Sequence, residues 1–233
     1  MVSKIPSSSN KAFAAIQEII KMGEVDIPHQ FQGAGAPGNT LEYLLNLEVN
    51  NNDSPDLYDW EIKFHGGDSL LTLFHKDPSP RGILDKLVDR FGWDDGKGRI
   101  SFRHTLSGRS ERGFFVENLK NRITVSNIWD LSIVPYWDHN TILNAIGAKL
   151  RRLILVHGKV NKAKRTVVYN NAVAYWDLDL MGICESISQG IIYIDFDART
   201  KAERGTALRN HGTKFRIHVN NIQEIYENHQ VIK

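Results

Sequence analysis

The chain has a single cysteine, Cys184, so no intrachain disulfide can form and a reducing, intracellular setting is compatible with the sequence. No stretch approaches the roughly 20 apolar residues of a membrane helix. Met1 to Ser9 is polar and lacks the hydrophobic run of a secretory leader. These absences predict a cytoplasmic protein with no membrane partner. Net charge is also scarce: 29 Lys and Arg against 27 Asp and Glu leave +2. A surface for a polyanion must therefore arise from uneven placement, with acidic residues kept away from it. The glycine-rich Gln32-Gly-Ala-Gly-Ala-Pro-Gly38 has neither a Gly-Lys-Ser/Thr ending nor a preceding strand. It reads as a mobile loop leading into a helix rather than a P-loop. What is present is ordinary for a globular protein, 41% hydrophobic and 24% charged. A chain of 233 residues is enough for one large domain or two small lobes.

The chemistry concentrates in Asp56-Leu-Tyr-Asp-Trp-Glu61-Ile-Lys63. Along a strand the side chains alternate between faces, so Glu61 and Lys63 emerge together while Ile62 points back into the protein. An isolated Glu-x-Lys is commonly a solvated face with cross-strand ion pairs. Two carboxylates and an ammonium gathered at one strand are costly, however, without an ion or solvent to compensate. Mg2+ supplies that compensation, because it is held by one or two carboxylates with water and phosphate completing its shell. Asp59 shares the parity of Glu61 and is a reserve ligand. Upstream, Asn39-Thr40 reads as the cap of a helix with Leu41, Leu44, Leu45 and Leu47 on its buried side. Glu42 then falls in the first turn, either as a partner of the helix dipole or aimed at the metal pocket.

Pro55-Asp56 followed by Glu61-Ile-Lys63 looks like the PD-(D/E)xK nuclease signature. Together with Gly38-Asn-Thr-Leu-Glu42, Leu70-Leu-Thr-Leu-Phe-His75-Lys76, Pro80-Arg-Gly82, Arg90-Phe-Gly92, His104-Thr-Leu-Ser-Gly108 and His211-Gly-Thr-Lys-Phe-Arg216-Ile217, it resembles the MvaI/BcnI family of type II restriction endonucleases, relatives of the MutH nicking enzyme. The matches run in order over roughly residues 38 to 228. The resemblance implies Mg2+-dependent cleavage of double-stranded DNA at short CC/GG-flanked sites by a monomer. A cognate DNA methyltransferase is then its genetic partner. Glu42, Asp56, Glu61 and Lys63 become the catalytic set, with Asp56, Glu61 and the Ile62 carbonyl as metal ligands. His75 is either a structural histidine or bears on site preference, since the BcnI branch has histidine there and the MvaI branch does not. Arg216 matches the MvaI branch, whereas Lys214 falls where the BcnI branch has histidine, which leaves the central base pair open. A MutH-like repair nickase and a DNA-binding protein without catalysis are the competing readings.

The remaining chain reads as alternating helices and strands. Helices are expected at about 11–22, 81–91, 140–149, 181–189 and 221–228 from their apolar spacing. Strands are expected at 69–76, 153–156, 166–169 and 190–196, with a β-rich stretch at 94–137. This predicts an α/β restriction-endonuclease-like fold, a mixed central sheet flanked by helices, in two lobes around a DNA cleft. The catalytic lobe would span about 10–92, the β-rich insertion about 94–137 and the DNA-recognition region about 140–228. Arg103, Arg109 and Arg112 fall in or beside the insertion. Lys76 and Arg81 sit in matched motifs. Between Asp197 and Arg216 lie Arg199, Lys201, Arg204, Arg209, His211 and Lys214, opposed mainly by Glu203, on an adaptable loop. Such cations neutralise phosphates, and arginines can read guanine for about 1–3 kcal/mol per bidentate pair.

Overall fold

Phe13, Ile16, Ile19 and Ile20 recur at helical spacing, and the first element is a helix, α1 (Ser9–Lys21), with Ala12, Ile16 and Ile19 buried. The computed structural model describes residues 9–47, 56–200 and 208–232. In chain order there follow β1 (Glu24–Asp26), α2 (Ala36–Leu44), β2 (Glu61–His65), β3 (Leu71–His75), α3 (Ile83–Phe91), β4 (Trp93–Asp94), β5 (Ile100–Leu106), β6 (Phe114–Leu119) and β7 (Arg122–Asn127). The remainder comprises β8 (Tyr136–Asp138), α4 (His139–Lys149), β9 (Arg152–Asn161), β10 (Thr166–Leu178), α5 (Ile183–Ser188), β11 (Ile192–Thr200), β12 (Leu208–Asn210), β13 (Lys214–Ile217) and β14 (Tyr226–Ile232). The fold is mixed α/β, as the alternating pattern predicts. Where one central sheet is expected, three separate sheets form among the described residues.

The described residues of Met1–Ser69, Gly147–Asp179 and Tyr226–Lys233 make one compact unit. Its sheet has the order β1-β10-β9-β2, with β14 also on β10. β2 joins β9 in parallel, and the other pairings are antiparallel. One face is covered by α1 and α2 through a cluster that includes Ala12, Ile16, Leu41, Trp60, Ile62, Ile154, Val156 and Tyr169. Tyr169 is buried and its hydroxyl donates to the Pro37 carbonyl at 2.8 Å, which ties α2 to the sheet. A Cβ at Gly158 would lie 2.4 Å from the Val168 carbonyl oxygen, so β9 can approach its neighbour this closely only with glycine there.

Leu70–Ile146 and the described residues of Leu180–Ile225 make the second unit. Its larger sheet has the order β3-β13-β11-β5-β4, with β12 on β11, all antiparallel; β6-β7-β8 form a smaller sheet. The expected β-rich stretch is thus divided between two sheets. β11 alternates strictly: Ile192, Ile194, Phe196 and Ala198 are buried, while Tyr193, Asp195, Asp197 and Arg199 take the other face. The buried side packs aromatic on aromatic, with Phe102 and Phe196 centroids 5.4 Å apart and Phe74 stacked on Phe215 at 4.5 Å.

Three local expectations change. Pro37 falls in the first turn, where its missing N–H costs nothing, so α2 begins at Ala36 and Asn39-Thr40 lie inside it. Glu42 therefore belongs to the last turn. The segment expected as a C-terminal helix is a 3-10 turn, Val219–Glu224, followed by β14. Ile222, Ile225 and Tyr226 do point inward, a spacing that helix and turn-plus-strand satisfy equally. Finally, the described part of the expected loop after Asp197 is mostly strand, because β11 continues to Thr200 and pairs with β12 and β13. Pro55, Lys201, Glu203 and Arg204 lie outside the described residues.

Candidate active site

Leu57 and Trp60 exchange both backbone hydrogen bonds, N to O, at 2.9 Å, closing a tight turn with Tyr58 at φ 59°. Trp60 is fully buried and anchors that turn. The turn folds Asp56 back beside β2, where its Oδ2 accepts the Ile62 N–H at 3.1 Å. Because Asp59 sits in the turn and not on the strand, its parity does not bring it to Glu61; it is ion-paired with Arg152. On β2 itself the alternation holds. Ile62 is buried in the core, and on the opposite face Lys63 Nζ lies 3.0 Å from Glu61 Oε1.

Glu61 is 2% exposed. Its Oε2 is buried with no hydrogen-bond partner. Burial raises its pKa to about 7, and the Asp56 charge adds to this, although Lys63 and Lys149 oppose it. Burial also raises the pKa of Glu42, again with Asp56 adding and Lys149 and Lys63 opposing. Glu42, Asp56, Glu61 and Lys63 are therefore within electrostatic reach of one another in a single unit. Lys149, at the end of α4, joins them with its Nζ 3.7 Å from Glu61 Oε1. Sequence reasoning missed it: it stands 86 positions after Lys63, and nothing local marks it as more than the last cation of a helix.

The donor set fits a hard divalent cation. An unsatisfied carboxylate oxygen and two carboxylates, Glu42 and Glu61, raised by burial and by the charge of Asp56 are what such an ion relieves. Among the described residues no group of three or more His, Cys, Asp or Glu side chains is placed to hold a metal ion. Mg2+ does not require one, since it keeps waters and takes one or two carboxylates.

In the second unit the polar face of the larger sheet gathers most of the predicted recognition residues. Asp197 accepts from Arg103 Nε at 2.8 Å and from Lys214 Nζ at 3.1 Å. Asp195 accepts from Thr105 Oγ1 at 2.8 Å and from Arg216 Nη1 at 3.1 Å, while Arg216 Nη2 donates to the Leu70 carbonyl at 2.7 Å. Arg199 pairs across the strands with Arg209 and Ser101. Burial and the charges of Arg99, Arg103 and Arg209 lower its pKa. His75 stands at the exposed end of β3 opposite Lys214. His211 is exposed, its N–H donating to the Asp197 carbonyl at 2.9 Å, and Lys76 N–H donates to the Thr213 carbonyl at 2.9 Å. Arg81 lies exposed ahead of α3, and Arg109 lies beyond β5 in a bridge to Phe115, so neither is part of this ladder. Asp195 and Asp197 were missed, although the alternation of Tyr193-Ile-Asp-Phe-Asp-Ala-Arg199 already puts them beside Arg199 on one face.

No curated protein matches the chain by sequence. Among solved structures, restriction endonuclease MvaI in its complex with cognate DNA substrate is 28% identical, with a TM-score of 0.82 over 99% of this chain and 100% of that one. MvaI in the absence of DNA is also 28% identical, with a TM-score of 0.60 over 100% of both chains. The profile of the MvaI/BcnI restriction endonuclease family matches residues 9–226. With that match across nearly its whole length, the chain belongs to the MvaI/BcnI restriction endonuclease family.

Proposed function

We propose that this protein is a type II restriction endonuclease of the PD-(D/E)xK kind that hydrolyses double-stranded DNA at a short CC/GG-flanked site with Mg2+. The reading includes a cytoplasmic monomer of two lobes around a DNA cleft, with a catalytic lobe, a β-rich insertion and a recognition region, and a methyltransferase as genetic partner only. The observation that carries it is the buried, unpartnered Oε2 of Glu61 beside Asp56, with two lysines on its other oxygen.

Asp56, Glu61 and the Ile62 carbonyl would hold Mg2+, which when bound supplies Lewis-acid neutralisation at the scissile phosphate and acidifies the attacking water. Glu42 positions this set or shares a second ion. The Lys63 amine would orient or deprotonate the water, or meet the charge that builds on the phosphoryl oxygens as the P–O bond breaks. In the second unit, Arg216 and its neighbours are candidates for guanine contacts. Lys76, Arg81, Arg103, Arg109, Arg199, Arg209, His211 and Lys214, with His75, would hold the backbone or adjoin the bases.

The test is to incubate plasmid with the protein and Mg2+, or with EDTA, and to map the ends. Fragments sharing one end sequence, formed only with Mg2+, are expected. Nicks that need added repair factors would favour a nickase, and retention on DNA without cuts would favour a binding protein. Lys63→Ala should lower cleavage at least about 100-fold while sparing DNA retention in EDTA. Cutting at the parental rate would remove Lys63 from the mechanism.

A further inference from the structure

The β9–β10 hairpin carries cations that neither the catalytic set nor the recognition ladder uses. In the parallel pairing of β2 with β9, Glu61 stands opposite Leu153, Lys63 opposite Leu155 and His65 opposite His157. Residues paired in this way share a face, and the His65 and His157 ring centroids are 6.3 Å apart. Parity then places Lys159 on the face of Lys63. The alternate positions Ile154, Val156 and Val160 pack into the core on the other side. Beyond Lys159 the turn Lys162-Ala-Lys-Arg165 closes the hairpin.

Arg165 serves the fold, its Nη2 donating to the carbonyls of Pro28 and Phe31. Lys159, Lys162 and Lys164 are exposed, and among the described residues none of them is in an ion pair. No Asp or Glu occurs from Leu155 to Trp176. In the sheet Glu24 and Asp26 sit on β1 across β10, and Glu24 accepts a hydrogen bond from Thr166. Burial and the neighbouring His65 lower the pKa of His157, so the positive charge of this line comes from the lysines.

We propose that Lys159, Lys162 and Lys164 form a sequence-independent subsite for the sugar-phosphate backbone of the duplex flanking the cleavage site, on the side toward which β2 and β9 run. The proposal rests on the nuclease reading, which places the scissile phosphate beside Lys63. From the level of Lys63 to Asn161 the strand covers about 20 Å, roughly 6 base pairs of B-DNA. A duplex leaving the site along these strands meets three exposed ammonium groups in succession, and their counterion release adds affinity whatever the base sequence.

The experiment measures binding in EDTA, so that nothing is cut, to cognate duplexes ending about 3 base pairs past the cut or extended by about 10 on either side. The wild type should bind more tightly, about tenfold, when the duplex is extended on one side. Replacing Lys159, Lys162 and Lys164 together by Ala should abolish that gain and leave the short duplex as it was. It should also reduce the slope of log K against log salt by about 2 to 3, and the triple Arg variant should restore both. A triple Ala variant that keeps the wild-type gain and slope overturns the subsite, as does a wild type indifferent to length. A wild type that retains neither duplex overturns the nuclease reading and the subsite with it.

Discussion

Lys149 Nζ lies 3.7 Å from Glu61 Oε1, the oxygen that Lys63 holds at 3.0 Å. Two ammonium groups thus share one carboxylate oxygen while the other oxygen of Glu61 has no partner. In the proposed mechanism Lys149 is then a second positive charge beside the reacting phosphate. Lys149→Ala should lower the single-turnover cleavage rate about 100-fold, as the loss of one aimed cation or donor does in other sites. Lys149→Arg should recover part of it, and DNA retention in EDTA should stay within about twofold in both. An unchanged rate for the Ala variant would make Lys149 a surface charge.

Trp60 links the core to the site, since it is fully buried, its ring centroid lies 5.6 Å from that of Phe13 on α1, and it directly precedes Glu61. Trp60→Ala should cost about 3–5 kcal/mol in urea unfolding. Cleavage should fall even at temperatures where the variant stays folded, because the Leu57–Trp60 turn holds Asp56 beside Ile62. Parental stability would show that the turn is held by its backbone alone.

Arg216 and Lys76 test the proposed division between reading bases and gripping the backbone. If Arg216 reads a base, Arg216→Ala should lose about 1–3 kcal/mol of discrimination at one position of the site. Lys76→Ala should weaken all sequences alike and lower the salt slope by about 1. A uniform effect of Arg216→Ala, with unchanged sequence preference, would assign Arg216 to the backbone or to the sheet.

His104 gives a pH dependence with a definite sign. Burial, and then the charge of Arg112, lower its pKa from the usual histidine value. Its Nε2 is 3.0 Å from Ser110 Oγ, and its ring lies 5.3 Å from Phe114. Below about pH 6.5 the unfolded chain takes up a proton more readily than the folded one. The stabilisation is therefore present above that pH and is lost as pH falls through the folded value. His104→Phe should reduce the loss of urea stability between about pH 8 and pH 5. An identical loss in the variant would place the effect elsewhere.

Much of the fold was legible wherever one periodicity dominated. The apolar spacing of Phe13, Ile16, Ile19 and Ile20 gives α1, and that of Ile83, Leu84, Leu87 and Val88 gives α3, because a helix must bury one stripe. The strand parity of Glu61, Ile62 and Lys63 placed both charged groups on one face for the same kind of reason. The spacing of Ile222, Ile225 and Tyr226 was ambiguous. Inward positions there satisfy either a helix or a turn and strand, and the open edge of β10 decides for β14. Asn39-Thr40 misled because good capping residues also sit inside helices, where Thr40 Oγ1 donates back to the Ala36 carbonyl at 2.8 Å.

Residue order carries the local chemistry: which residue types lie two apart on a strand, which stripes must be buried, and the ordered motifs that carry the family resemblance. Tertiary structure alone decided the company those residues keep. It brought Lys149 to Glu61 from the end of a distant helix, turned Asp59 to Arg152 and set Asp195 and Asp197 against Arg216, Lys214 and Arg103. The physical reason is that periodicity acts over one turn or one pleat. An ion pair between residues far apart in the chain forms only when separate elements, each driven by its own buried face, have already met.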